Sequence, residues 1–176
     1  MNNRYCYALT LCLIECLHEK GSWCGETHIQ KNMYVFESLF DVQSDLNFTL
    51  YKHGPYSFIL HDIINDLYGL KFIEAKQIPP YGPRIYLTES GRIFMKKYQI
   101  SEQSKLKAVT SRLGFETVQG LEKLATALMI ARQAPEKDVS QRAAVLHEIK
   151  PHISLEDAKK ATRSMDTMQQ ELSISM

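Results

Sequence analysis

A chain of 176 residues, 44% hydrophobic and 23% charged, with a formal net charge of +1, has the make-up of a globular protein large enough for one good core and a small helical annex. No stretch of about 18 apolar residues occurs, which excludes a membrane-spanning helix. The near-neutral balance argues against a strongly cationic nucleic-acid module.

The longest apolar run, Tyr5 to Leu17, is interrupted by Thr10 and Glu15. It lacks the basic flank and small-residue cleavage site of a signal peptide, so a cytoplasmic location is expected. Arg4 to Lys20 reads as a first helix, because Tyr7, Leu11, Ile14 and Leu17 recur at helical spacing. Gly21 supplies its C-terminal stop. Cys6, Cys12, Cys16 and Cys24 suit a reducing compartment as free, buried thiols. Cys12, Cys16, Cys24 and His28 lack a C-x-x-C spacing, so neither a metal nor any other cofactor is expected.

Thr27-x-x-Gln30 has the pattern of a capping box, predicting a second helix to about Leu39 with Ile29, Met33 and Phe36 buried. Asp41 to Asn47 is turn-like, and Phe48 to Tyr51 reads as a short strand that Gly54-Pro55 breaks. Ser57 is placed to cap a third helix carrying Phe58, Ile59, Leu60, Ile63, Ile64 and Leu67 and ending at Gly69. Lys71 to Gln77 and Arg84 to Leu87 form two strands. Pro79, Pro80, Gly82 and Pro83 stiffen the tip between them, since proline fixes φ and glycine permits positive φ. Thr88 caps a helix through Phe94 and Met95.

Beyond residue 100 the pattern turns helical. Helices are expected over Ser101 to Leu113 and over Phe115 to Gln133, the latter with Val118, Leu121, Leu124, Ala125 and Leu128 on one side. Asp138-x-x-Gln141 opens another, ending before Pro151. Ser154-x-x-Asp157 caps the last, where Ala158, Ala161, Met165, Met168 and Leu172 make a narrow seam of 3-4-3-4 spacing. The seam is expected to pack on the chain's own body, with homodimerisation through it as the next outcome. The fold class expected is α+β, mainly helical. A winged-helix-like part with a two-stranded wing (1–100) precedes a small helical bundle packed on it (101–176), with a soft boundary at 99–104.

Gly25-Glu26-Thr27-His28-Ile29-Gln30-Lys31, Tyr51 to Ser57, and Pro80-Tyr81-Gly82-Pro83-Arg84 with Leu87-Thr88 resemble the YwgA-like family of bacterial and archaeal proteins. Leu121 to Ala125, His147 to Pro151 and Leu155 to Ala161 resemble that family's C-terminal half, so the likeness spans nearly the whole chain. The Gly54-Pro55-Tyr56-Ser57 turn more distantly resembles the Panacea domain of SocA-like antitoxins. Both resemblances imply a winged-helix-like fold. The second implies an antitoxin or proteolytic adaptor, and neither supplies a catalytic residue.

A winged helix reads DNA with the helix before the wing, using basic and amide side chains. Here Ser57 to Tyr68 carries Asp62 and Asp66 and no Lys or Arg. Lys76, Arg84, Arg92, Lys96 and Lys97, around and after the wing, are the candidate phosphate contacts. Their plain alternative is a solvated face. Catalysis is not expected. His53 and Ser57 stand near each other, but no Gly-x-Ser-x-Gly elbow surrounds the serine and no glycine-rich phosphate loop occurs.

A protein-interaction module is therefore the leading expectation. Its candidate partner-binding residues are Tyr51, His53, Tyr56, His61, Asn65, Tyr81 and Arg84, because tyrosine offers wide contact at low entropic cost. Tyr51, Tyr56 and Tyr86 are expected near the turn and wing. With the resemblance, this reads as an antitoxin, adaptor or accessory subunit of a bacterial defence-type complex, its partner an enzyme or toxin encoded nearby. A winged-helix regulator, or a subunit touching DNA only within a larger assembly, is the second expectation.

Overall fold

The first helix stops where the sequence supplies a residue that tolerates the left-handed region: Gly21 has φ +71°. The computed structural model describes residues 3–42 and 44–174. In it, α1 (Asn3–Glu19) and α2 (Glu26–Phe40) are followed by a hairpin of β1 (Thr49–Tyr51) and β2 (Gly54–Tyr56). Then come α3 (Phe58–Gly69), a second hairpin of β3 (Ile73–Lys76) and β4 (Arg84–Leu87), and α4 (Glu89–Lys96). Four further helices complete the chain: α5 (Gln103–Leu113), α6 (Val118–Gln133), α7 (Val139–Ile149) and α8 (Leu155–Ile174). The protein is α+β and mainly helical, and among the described residues no helix is long and apolar enough to cross a membrane.

Several caps fall where hydroxyls and carboxylates predict them. The Ser57 hydroxyl accepts from the Leu60 amide at 3.0 Å, and the Thr88 hydroxyl from the Gly91 amide at 3.1 Å. Asp138 and Gln141 bond reciprocally in a full capping box. Thr27 and Gln30 do not. Helix α2 begins at Glu26 after Gly25 with no side-chain cap, which leaves Thr27 inside its first turn. The Gln30 amide turns into the core instead, where it meets two backbone groups of Ser57. Helix α6 starts later than the apolar pattern suggests, because the Thr117 hydroxyl takes the cap from the Gly120 amide. Phe115 is left in the preceding loop and Val118 faces outward.

Gly54 and Pro55 extend the sheet rather than ending it. They pair antiparallel with Tyr51 and Leu50 across a tight turn at Lys52–His53. Gly54 sits at φ +85°, and a Cβ there would come within 2.7 Å of Thr126 Oγ1, so both conformation and space demand glycine. Gly91 is required by space alone: a Cβ would meet the Phe72 carbonyl oxygen at 2.1 Å, so its absence lets α4 lie close to the residue just before β3.

One continuous core joins both parts of the chain. Leu9, Leu13 and Leu17 of α1, Met33 and Phe36 of α2, and Leu60 and Leu67 of α3 share a cluster with Leu106, Leu128, Leu146 and Met165. Helix α1 packs on α5, and α2 on both α5 and α6. The terminal seam is buried within the chain, α8 lying on α6 and α7. All four cysteines are free and buried.

Candidate protein-docking surface

The segment Tyr51–Ser57 is fastened from beneath by three side chains, two from α2 and one from the end of α7. Lys31 of α2, 2% exposed, donates from Nζ to the Pro55 carbonyl at 2.6 Å. Gln30 of α2 donates to the Ser57 carbonyl and accepts from the Ser57 amide, both at 2.9 Å. Lys150, at the C-terminal end of α7, donates to the Tyr51 carbonyl at 2.9 Å and also to the Lys52 carbonyl. A buried carbonyl without a partner costs about 1–3 kcal/mol, so these bonds decide whether the hairpin can sit on the helices.

Two lysines withdrawn from water need a counter-charge, since desolvating an ammonium costs several kcal/mol. Glu122 of α6 supplies it. Its Oε1 lies 3.4 Å from Lys150 Nζ, and its Oε2 lies 3.4 Å from His152 and 3.9 Å from His53. Oε1 makes no directed hydrogen bond, so its approach to Lys150 is charge to charge. Burial pulls the Lys31 ammonium down to about 8 from its ordinary 10.5. The Glu122 carboxylate opposes that pull and the Lys150 charge adds to it. The Ser57 hydroxyl is fully buried and spent, accepting from Leu60 and donating to the Leu46 carbonyl.

Above this fastening the outer face is aromatic. Tyr51, Tyr56 and Phe58 contact one another with ring centroids 5.2–5.6 Å apart. Tyr51 is 55% exposed and Phe58 54%, with Leu50 and Ile59 exposed beside them. Phe58, Ile59, Asp62, Asn65 and Asp66 share the solvent face of α3, which has no basic residue. His61 bonds to Glu26 at 2.8 Å through Nδ1 and to Asn65 at 3.0 Å through Nε2. Tyr56 donates to the same Glu26 carboxylate at 2.9 Å. The Tyr7 hydroxyl donates to Asp66 at 2.6 Å, tying α3 to α1.

The remaining residues singled out in the sequence lie elsewhere. Tyr81 is at the tip of the β3–β4 hairpin, 64% exposed and edge-on to Trp23 at 5.0 Å. Tyr86 stacks on His18 at 4.9 Å rather than on Tyr51 or Tyr56. Arg84 turns inward, donating to the Ser22 carbonyl at 3.1 Å with its guanidinium over the rings of Trp23 and Tyr86. Arg92 donates to the Leu87 carbonyl at 3.2 Å. Lys76 lies 3.3 Å from Glu74 and over the Tyr86 ring, whereas Lys96, the last residue of α4, and Lys97, its C-cap, are exposed.

Sequence reasoning missed Gln30, Lys31, Glu122 and Lys150 as partners of the hairpin. Phe58, predicted as part of the helix's apolar stripe, belongs to the surface cluster. Among the described residues, no group of three His, Cys, Asp or Glu side chains is arranged to hold a metal ion. Compared with known proteins, the chain matches no family model and no curated sequence.

Proposed function

We propose that this chain is a non-catalytic interaction module that docks another protein through the Tyr51–Tyr56–Phe58 face and the solvent side of α3. In this reading α1 to α4 with the β3–β4 wing form a winged-helix-like unit, and α5 to α8 are a helical annex to it. One observation carries the proposal: exposed aromatic rings stand on a hairpin held by two buried lysines, one of them paired with Glu122, so the face is rigid before any partner arrives. A preformed aromatic surface loses little entropy on binding. Asp62 and Asp66 beside it favour a partner whose apolar surface is rimmed by Lys or Arg. The family resemblance extends this to an antitoxin, adaptor or accessory subunit of a bacterial defence-type complex in the cytoplasm. Any catalysis then belongs to the partner. The commitment of the Ser57 hydroxyl to two backbone groups supports a non-catalytic role.

DNA contact within an assembly is the second reading, favoured by Lys96 and Lys97 exposed at the end of α4 after the wing. It is weakened by the inward engagement of Arg84 and the pairing of Lys76 with Glu74.

Affinity purification from the native host tests the first reading. The wild type is expected to retain a stoichiometric protein partner, and a variant with Tyr51→Ser and Phe58→Ser to lose it. A mobility shift showing tight, sequence-dependent DNA binding by the chain alone at physiological salt would replace this reading with the second.

A further inference from the structure

A second surface feature lies outside the docking face and is independent of it. The turn after α1, the tip of the β3–β4 hairpin and the α5–α6 loop enclose a cleft of about 570 Å³. Its walls are Trp23, Tyr81, Phe115 and Val118, drawn from three segments far apart in sequence. Phe115 is 74% exposed and Tyr81 64%, so two large rings stand at the rim where a core would have hidden them. The volume lies in the range of small-molecule sites, which are mostly apolar with a few convergent polar groups.

The polar group here is His28 of α2, which lines the floor. It is 4% exposed, and no group bonds its Nδ1. Burial lowers the pKa of the ring, and a hydrogen bond to the Glu116 backbone opposes this. A neutral ring that donates to a carbonyl through one nitrogen keeps the other as an acceptor, so the unbonded Nδ1 asks for a donor. Leaving a buried polar atom unbonded is costly, and a ligand's N–H would recover that cost. The charged residue lining the cleft is Glu116, which disfavours an anion.

We infer that this cleft binds a small, flat heteroaromatic molecule, neutral or weakly basic, that stacks among Trp23, Tyr81 and Phe115 and donates an N–H to His28 Nδ1.

Trp23 is the chain's sole tryptophan, so its emission reports on this cleft directly. Adenosine and benzimidazole, each flat and carrying an N–H, are the probes. Titration with either is expected to change Trp23 emission saturably, with saturation-transfer NMR showing the same contact. Phe115→Ser, at an exposed position that does not threaten folding, and His28→Phe are each expected to weaken binding about tenfold or more, the loss that goes with one good buried contact. Tyr51→Ser, on the other face, leaves it unchanged. If the His28 variant does not fold, Phe115→Ser decides alone. The proposal is overturned by the absence of saturation up to millimolar probe or by binding that Phe115→Ser leaves intact. It is equally overturned by a response confined to aromatic peptides, which would make the cleft a protein-docking groove.

Discussion

The two hairpins of this protein solve opposite problems. β1–β2 is three residues a side, with an exposed first strand and a buried second, and its carbonyls are gripped by Lys31, Lys150 and Gln30. β3–β4 is held along its second strand, where His18 Nε2 lies 2.6 Å from the Ile85 carbonyl and Arg84 donates to the Ser22 carbonyl. The Ile85 amide donates to the Cys24 carbonyl and the Thr88 amide to the Phe72 carbonyl, while Tyr81, Gly82 and Pro83 at the tip stay exposed. The first hairpin is gripped from beneath through its carbonyls by buried lysines and a glutamine, the second is held from its side by α1 and the turn after it, with proline stiffness at its tip. The sequence feature that looks most like a site, Lys52-His53-Gly54-Pro55-Tyr56-Ser57, is thus mainly a fastening, and the aromatic fringe it holds in place is the surface proposed to meet a partner.

The largest predicted effect sits at the charge that makes the fastening tolerable. Glu122→Ala leaves Lys150 buried without its carboxylate and removes the larger of the two carboxylate charges acting on Lys31, and is expected to cost about 3–5 kcal/mol in urea unfolding. Gly54→Ala comes next, at about 1–3 kcal/mol, since it forces a side chain to positive φ and against Thr126. A loss under about 0.5 kcal/mol at either position would remove the distinction between the two hairpins.

The pH dependence of Lys31 follows in size. Its proton is held less tightly in the folded chain, with a pKa of about 8 against 10.5. Between those values the unfolded chain binds more protons, so stability rises with pH across that window, and the cost is fully present below it. The stability of wild type relative to Lys31→Met is expected to grow by roughly 1–3 kcal/mol from pH 8 to 10.5. A flat difference would mean that the ammonium is solvated.

The contrast between the hairpins rests on how much of each was written locally. Ser57, Thr88 and Asp138 announce helix starts because a cap needs only a side chain and an amide three residues on. The tip of the β3–β4 hairpin announces itself through three prolines and a glycine, and the α8 seam through its spacing. The fastening does not, because Lys31 meets Pro55 and Lys150 meets Tyr51 across 24 and 99 residues. Helical periodicity also misplaces them. Ile29, Met33 and Phe36 define an apolar stripe that leaves Gln30 and Lys31 reading as solvent-facing, whereas α2 is buried on nearly every side from His28 to Phe36. A helix so enclosed must bond its polar side chains inward, and Gln30 followed directly by Lys31 was the one hint of that. The cleft at Trp23 was hidden for the same reason, being assembled from three separate segments.

Smaller effects on stability are expected at the surface. Tyr51→Ser with Phe58→Ser is predicted to shift unfolding by less than about 1 kcal/mol, and Tyr81→Ser at the β3–β4 tip by less than about 0.5 kcal/mol. Circular dichroism melts check both, and a large loss in either would show those rings to be part of the core.

Partner retention by the surface variants asks the central question most directly. Wild type, the Tyr51→Ser/Phe58→Ser variant and Tyr81→Ser would each be purified from the native host and their partners quantified by mass spectrometry. A stoichiometric protein retained by wild type and Tyr81→Ser, but lost from the doubly substituted variant at unchanged melting temperature, is the predicted result. Equal recovery with all three would contradict the claim that the aromatic fringe of the fastened hairpin is where this protein meets its partner.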